Sequence, residues 1–139
     1  MKKITILLIA LMVFSVGVLS GCEEGTEDAT DMSVFTMIEA LAQVINGTGE
    51  PVAGASVTFD FRITGNKKNT IVRTTDSTGW TDFAVESLKI PDQGYGYCDV
   101  YLTNDNSIRE EYSQSADLAR YAIVNEVSYW SISARLVQD

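Results

Sequence analysis

Few side chains in this sequence could take part in covalent or acid–base chemistry. The 139 residues include two cysteines and no histidine. The absence of histidine excludes Ser-His-Asp and Cys-His catalysis and any histidine-ligated zinc or copper site. Carboxylate pairs such as Glu110 and Glu111 are neighbours in the sequence without a predicted cleft. We therefore expect that the protein is not an enzyme, and that it has no catalytic residue, no bound metal and no cofactor.

The first cysteine stands at the end of an N-terminal leader. Met1-Lys2-Lys3 precedes an apolar run over residues 4–18, which is followed by Leu19-Ser20-Gly21-Cys22. A basic start, about 15 apolar residues and small residues at the end are typical of a secretory signal peptide. The last four residues resemble the lipobox of prokaryotic lipoproteins, whose cysteine receives a lipid before cleavage in front of it. Residues 1–21 are therefore predicted to be a lipoprotein signal peptide, with Cys22 as the lipidated residue.

Cleavage at that position would leave an acidic chain. It removes two lysines, so Lys plus Arg falls from 10 to 8 while Asp plus Glu stays at 19, and the formal charge becomes about −11. Such a chain is repelled by nucleic acid and by anionic lipid headgroups. We expect no nucleic-acid partner, and we expect membrane contact through the lipid on Cys22. Residues 22–33 are acidic and lack periodicity, which predicts a tether. The predicted location is outside the cytoplasm, at the cell surface or in the periplasm.

Alternating apolar and polar residues dominate the remaining residues 34–139. The clearest run is 55–63, and similar runs surround Cys98 and cover 130–136. Period-two alternation is typical of half-buried strands, and Gly, Asn, Asp and Pro separate the runs at turn-forming positions. The pattern predicts a single all-β sandwich of about seven strands. The predicted interior consists of Val57, Phe59, Phe61, Cys98, Trp130, Ile132 and Leu136.

Three segments are less clear. Segment 34–45 is interpreted as a strand, although its apolar residues also suit a helical face. Shorter strands are predicted at 70–75 and 80–85. Residues 105–126 are predicted to form a crossover with either a short helix, capped by Ser115, or irregular structure.

Two segments of the strand region resemble a known class of domains. Pro51-Val52-Ala53-Gly54-Ala55-Ser56-Val57-Thr58-Phe59 and residues 74–83 are similar to the core of carboxypeptidase-regulatory, transthyretin-like domains and of bacterial Ig-like repeats. The resemblance covers about residues 40–103. It implies an Ig-like or transthyretin-like β-sandwich and a role in support, presentation or binding rather than catalysis.

Tyrosines provide the one candidate recognition surface. Tyr97 and Tyr101 flank Asp99 on the predicted outward side of one strand, and Tyr129 has outward parity on the last strand. Tyrosine combines apolar area with a polar tip, so such a group suits contact with sugars or with a protein. The alternative, which the apolar residues of 105–126 slightly favour, is that this crossover covers the tyrosines.

The predicted function is that of a non-catalytic, membrane-anchored lipoprotein of the cell envelope, with an Ig-like module that binds protein or glycan. The alternative is an accessory or stabilising subunit of a larger envelope complex for transport, secretion or surface assembly. A calcium site on the loop around Asp105, with Glu110 and Glu111, has suitable oxygen ligands. An ordinary polar loop is the favoured interpretation of these residues.

Overall fold

Strands form nearly all of the regular structure, as the alternating pattern predicts. The computed structural model describes residues 32–65 and 68–139, apart from the side chain of residue 68. The predicted leader, Cys22 and the tether up to residue 31 lie outside the described residues and stay predictions. The elements in chain order are β1 (Val34–Asn46), β2 (Ser56–Ile63), β3 (Lys68–Thr74), β4 (Ala84–Ile90), β5 (Tyr95–Leu102), β6 (Asp105–Ser115), α1 (Ala116–Tyr121), β7 (Ile123–Val124) and β8 (Val127–Gln138).

These strands form two four-stranded sheets. The first sheet has the order β4-β1-β8-β7 and the second sheet the order β3-β2-β5-β6. β1 and β8 run parallel, while the other neighbouring strands run antiparallel. The all-β sandwich is therefore confirmed, with eight strands where about seven are predicted, the shortest being the two-residue β7. Among the described residues, no helix is long and apolar enough to cross a membrane.

The core lies between the two sheets. Phe59 and Phe61 of β2 are fully buried, as is Cys98 of β5, and Ile132 and Leu136 of β8 are each 2% exposed. The predicted interior is confirmed for these residues and for Val57. Trp130 was also predicted to be buried, but it is only half-buried and packs against the margin of the core. It lies near the start of β8, where the sandwich ends.

β1 is a strand along its whole length, so the helical interpretation of 34–45 is excluded. Its even-numbered residues from Val34 to Val44 are buried, while Phe35 is exposed. Successive side chains of a strand point to opposite sides of the sheet, so the buried residues of β1 face the core between the two sheets.

The strand predicted at 80–85 is wrong in its position, because β4 spans Ala84–Ile90. The preceding turn explains the shift. Asp76 Oδ1 accepts hydrogen bonds from the backbone N–H of Thr78 at 2.8 Å and of Trp80 at 3.2 Å. Val44 N–H donates to the carbonyl of Gly79 at 2.8 Å. This turn is thus docked on β1, and continuous pairing with β1 begins only at Ala84.

The region 105–126 does not fold over the tyrosines. Half of it is β6, which pairs with β5 and extends the second sheet. The short helix α1 follows, and its N-cap is Ser115, whose Oγ accepts from Leu118 N–H at 3.2 Å. Leu118 and Tyr121 are exposed rather than part of a second core. The interpretation that this segment buries the tyrosine face is therefore wrong, and one predicted alternative, a short helix, is confirmed.

Candidate functional site

The central strand β5 carries two of the three predicted recognition residues. Tyr97 and Tyr101 both lie on the outward side of the second sheet, with Asp99 between them, and Cys98 points to the core. Tyr129 lies on β8, which belongs to the first sheet, beside Met37 of β1. The structure therefore brings Tyr97 and Tyr101 together and separates Tyr129 from them. A common face of all three tyrosines is a wrong prediction.

Cross-strand pairing places one arginine opposite each of these tyrosines. Arg62 of β2 pairs with Tyr97, and Arg109 of β6 pairs with Tyr101. The side chains of both arginines extend along the outer side of the sheet toward Asp99. Arg62 Nη2 forms a salt bridge with Asp99 Oδ2, and Arg109 Nη2 lies 3.3 Å from the same oxygen. We call the surface formed by these five residues the Asp99 face.

Burial differs sharply across the Asp99 face. The side chain of Asp99 is 6% exposed, whereas those of Arg62 and Arg109 are 46% and 37% exposed. A buried carboxylate is stable only when it is paired and hydrogen-bonded, and the two guanidinium groups provide that pairing. Each guanidinium has five N–H donors, so the contact with Asp99 leaves donors that face solvent.

Each guanidinium also lies over an aromatic ring. Arg62 is 5.5 Å from the centroid of the Tyr97 ring, and Arg109 is 5.4 Å from that of Tyr101. The Tyr97 ring stacks in turn on Tyr95, with centroids 6.2 Å apart. These cation–π contacts restrict the arginines. The result is two Arg–Tyr platforms on either side of one buried carboxylate.

A second buried carboxylate, that of Asp60, lies beside Asp99 on the same side of the sheet. Asp60 of β2 accepts a hydrogen bond from the Tyr101 hydroxyl at 2.9 Å and one from Thr70 Oγ1 at 2.6 Å. Burial, this hydrogen bond to Asp60 and the negative charge of Asp60 raise the pKa of Tyr101, so its hydroxyl remains a proton donor at neutral pH. The hydrogen bond fixes the orientation of the Tyr101 ring beneath Arg109.

A shallow depression of about 250 Å³ lies at the centre of this region. It is lined by Asp60, Arg62, Asp99, Tyr101, Asn106 and Arg109. The lining is almost entirely polar, with guanidinium and phenol groups as donors. A hydroxyl-rich ligand suits this lining better than an apolar one.

The inner side of β5 offers no reactive group to this site. Cys98 is fully buried, and burial, followed by the charges of Asp99 and Asp60, raises the pKa of its thiol to about 12. The thiolate is the reactive form of cysteine. At neutral pH this thiol is therefore protonated and enclosed in the core.

The acidic loop considered for calcium is engaged internally. Asp105 Oδ1 accepts hydrogen bonds from the backbone N–H of Ser107 at 3.1 Å and from its hydroxyl at 2.6 Å. These bonds lower the pKa of the Asp105 carboxyl. Within residues 32–65 and 68–139, no group of three or more Asp, Glu, Cys or His side chains is placed to hold a metal ion.

Sequence reasoning found the tyrosines of the Asp99 face but missed its arginines. Arg62 had the correct outward parity on the 55–63 run, and Asp99 was noted between two tyrosines. What could not be read from the sequence was that β2 and β6 flank β5, since strand order depends on long-range pairing. With the strand order known, the useful signal is an arginine on the outward side of each strand that flanks β5, namely Arg62 and Arg109.

Comparisons with known proteins give little beyond this geometry. No protein-family model matches the chain, and no curated protein matches it. Among solved structures, it is similar to chlorocatechol 1,2-dioxygenase from Pseudomonas putida, with a TM-score of 0.42 and 11% sequence identity. The similarity covers 79% of this chain and 63% of that enzyme. No statement about the activity of this chain rests on so distant a likeness.

Proposed function

We propose that the protein is a non-catalytic, lipid-anchored module of the cell envelope whose Asp99 face binds a glycan of uncharged sugars. The anchor is supported by Leu19-Ser20-Gly21-Cys22 behind a basic and apolar leader. The module is supported by the β-sandwich together with the resemblance of residues 51–59 and 74–83 to carboxypeptidase-regulatory, transthyretin-like and bacterial Ig-like domains. Attachment outside the cytoplasm would place the Asp99 face among envelope polymers.

The observation that carries the glycan proposal is the buried Asp99 between two Arg–Tyr platforms. Asp99 holds Arg62 and Arg109 in place, while a large part of each guanidinium stays in contact with solvent. An arginine held in this way can donate hydrogen bonds to the hydroxyl groups of a sugar, while Asp60 and Asp99 balance the charge of the two arginines. The tyrosine rings add apolar area for the faces of sugar rings.

The polarity of the surface favours a glycan over a protein at this position. The fully buried centre of a protein–protein interface is apolar and depleted of charge. The centre of the Asp99 face is instead a polar depression that contains two arginines and two aspartates. Sugars supply hydroxyl groups that can pair with these donors and acceptors. Fewer of these polar groups therefore lose their hydrogen-bond partners than would do so under an apolar protein surface.

Binding rather than catalysis is also supported by the state of the reactive groups. The sequence has no histidine, and the thiol of Cys98 is buried with a raised pKa. The carboxylates of Asp60 and Asp99 accept hydrogen bonds from Tyr101 and from the arginines. These contacts hold the two carboxylates in fixed positions.

The test is a calorimetric titration of the full lipidated chain, in detergent, with oligogalacturonate and with uncharged oligogalactose of equal length. We expect binding of the uncharged oligomer only, and a loss of affinity of about tenfold or more in Arg109→Gln, because a charge-assisted hydrogen bond is removed. Arg135→Gln is the matched control, since Arg135 is exposed on the first sheet. Equal binding of both oligomers, or equal effects of the two substitutions, would contradict the proposal.

The second candidate function is an accessory subunit of a larger envelope complex, and the edge of the first sheet favours it. β7 pairs with β8 only at residues 127–128. In the described part of the chain, no strand pairs with residues 129–138 on the side away from β1. An open strand edge of this length can accept a strand of another protein. Recovery of a stoichiometric partner from detergent extracts, lost in Ser133→Pro, would support this function.

A further inference from the structure

One end of the sandwich gathers the point of chain entry and most of the exposed apolar side chains. β1 and β8 are parallel and begin at the same end, where Thr36 lies beside Ser128. β7 is there because Ile123 pairs with Ser128. α1 directly precedes β7, so it also lies at this end. The start of β5 lies beside α1, because Ala116 N–H donates to the carbonyl of Gly94 at 3.0 Å. We call this the entry end, formed by α1, β7 and the first residues of β1, β5 and β8.

Exposed large apolar side chains concentrate at the entry end. Within Ser33–Asp139 the structure describes eleven of them, and four lie elsewhere: Val72, Phe83, Val85 and Val137. The other seven lie at the entry end: Phe35, Tyr95, Leu118, Tyr121, Ile123, Val124 and Tyr129. Single exposed apolar residues need no explanation, but their concentration at one end of a domain is typical of an interaction surface. Tyr121 is 89% exposed, so it contributes little to the folding of the domain.

The proposed anchor restricts what this surface can meet. Cys22 and Ser33 are separated by eleven residue steps (33 − 22), which span at most about 40 Å. A lipid on Cys22 would therefore hold the entry end within that distance of the bilayer. Such tethering raises the effective concentration of membrane at this surface.

The charges of the entry end point to apolar rather than electrostatic contact. Arg120 pairs with Asp92 at 2.6 Å and with Asp117, and Lys89 lies 5.7 Å from the centroid of the Phe35 ring. With Glu126, and with Lys68, which pairs with Arg62 near the start of β5, these groups comprise three cations and three anions and carry no net formal charge. Anionic headgroups would not attract this surface, whereas tyrosine and phenylalanine side chains suit the boundary between headgroups and acyl chains.

We infer that the entry end is a membrane-docking surface. It contacts the same bilayer into which the lipid of Cys22 inserts. The inference depends on the lipid anchor of the proposed function, and it adds the orientation of the domain relative to the membrane. β5 leaves this end at Tyr95, and a strand rises about 3.3 Å per residue. Tyr101 then lies at most about 20 Å further from the bilayer than Tyr95. The Asp99 face stands beside the membrane and remains open to polymers that approach laterally.

The test compares two positions near opposite ends of β8. In the lipidated full-length protein, Val124→Cys and Val137→Cys each receive a polarity-sensitive fluorophore. Both valines are exposed, at 57% and 45%, while Cys98 is fully buried and does not compete for the label. The labelled proteins are reconstituted into phosphatidylcholine vesicles that contain lipids brominated on the acyl chains, and flotation of the vesicles reports the anchor.

We expect both proteins to float with the vesicles and the Val124 probe to be quenched severalfold more than the Val137 probe. High salt should not change this difference, because the contact is apolar. Flotation with equal quenching at the two positions would overturn the docking surface and leave the lipid anchor intact. Protein that does not float would contradict the anchor, and the docking that depends on it.

Discussion

Asp99 is the residue on which the organisation of the proposed binding face depends. Its carboxylate is nearly inaccessible to water and accepts from two arginines of two neighbouring strands. Without that charge, Arg62 and Arg109 would repel each other and turn to solvent. The residue thus links the stability of the second sheet to the geometry of the binding surface.

Replacement of Asp99 should therefore cost more than replacement of the exposed acid beside it. We expect Asp99→Asn to lower the free energy of unfolding by about 1–3 kcal/mol, the range for charge-assisted hydrogen bonds. Glu111→Gln is the control, because Glu111 contacts Arg109 at 3.3 Å but is 67% exposed. It should cost less than about 1 kcal/mol. Urea denaturation measures both, and equal costs would show that Asp99 does not organise the face.

Cys98 gives a prediction for alkaline pH. Between about pH 8.5, where an unfolded chain loses the thiol proton, and its raised pKa of about 12, the folded protein keeps a proton that the unfolded chain has lost. The unfolded state then binds fewer protons, so stability falls as pH rises through this window. We expect Cys98→Ala to reduce that slope, and the native thiol to react slowly with thiol reagents at pH 8. Rapid labelling, or an unchanged slope, would contradict the burial of this residue.

Among the elements, the turn before β4 shows how local chemistry fixes a strand boundary. Gly79 has a φ of +79°, and a Cβ there would lie 2.6 Å from the carbonyl oxygen of Val44. The turn is thus pressed against β1, with one isolated bridge at Trp80, and continuous pairing begins at Ala84. The sequence revealed the turn residues, but the contact with β1 spans 35 positions (79 − 44) and is not a local signal.

Two glycine substitutions separate close approach from backbone conformation. Gly49 also has positive φ, at +89°, but a Cβ there would meet nothing within 4 Å. We expect Gly49→Ala to cost about 1 kcal/mol and Gly79→Ala about 3 kcal/mol, since the second adds a steric clash to the unfavourable φ. Thermal denaturation of both variants measures the difference. Similar costs would indicate that the turn can move away from β1.

The alternating segments made the all-β sandwich and most of its core predictable. Phe59, Phe61 and Cys98 follow local alternation, and local alternation decides which side of a strand faces the interior. Strand order does not follow from local pattern, and for that reason Tyr129 was grouped with tyrosines of the other sheet. The sequence of β6 does not predict a strand, because the residues on both of its sides are largely polar. Such a composition suits an edge strand that covers little of the core.

At the scale of the whole molecule, the proposed anchor can be tested without knowledge of the ligand. We expect the mature protein to begin at Cys22 and to sediment with membranes, whereas Cys22→Ala should remain in the soluble exported fraction because it cannot receive the lipid. N-terminal mass spectrometry and fractionation measure both properties. A wild-type protein that starts elsewhere and is recovered in solution would refute the lipoprotein assignment.

The most direct test of recognition by the Asp99 face is to measure affinity and stability on the same tyrosine variants. Tyr97→Ala should weaken binding of oligogalactose by about 2 kcal/mol, as interface hot spots do, with a change in unfolding free energy below about 1 kcal/mol. Tyr129→Ala, on the other sheet, should leave the affinity unchanged. A Tyr97→Ala variant that loses stability but keeps its affinity, or equal losses of affinity in both variants, would contradict a binding site on the Asp99 face.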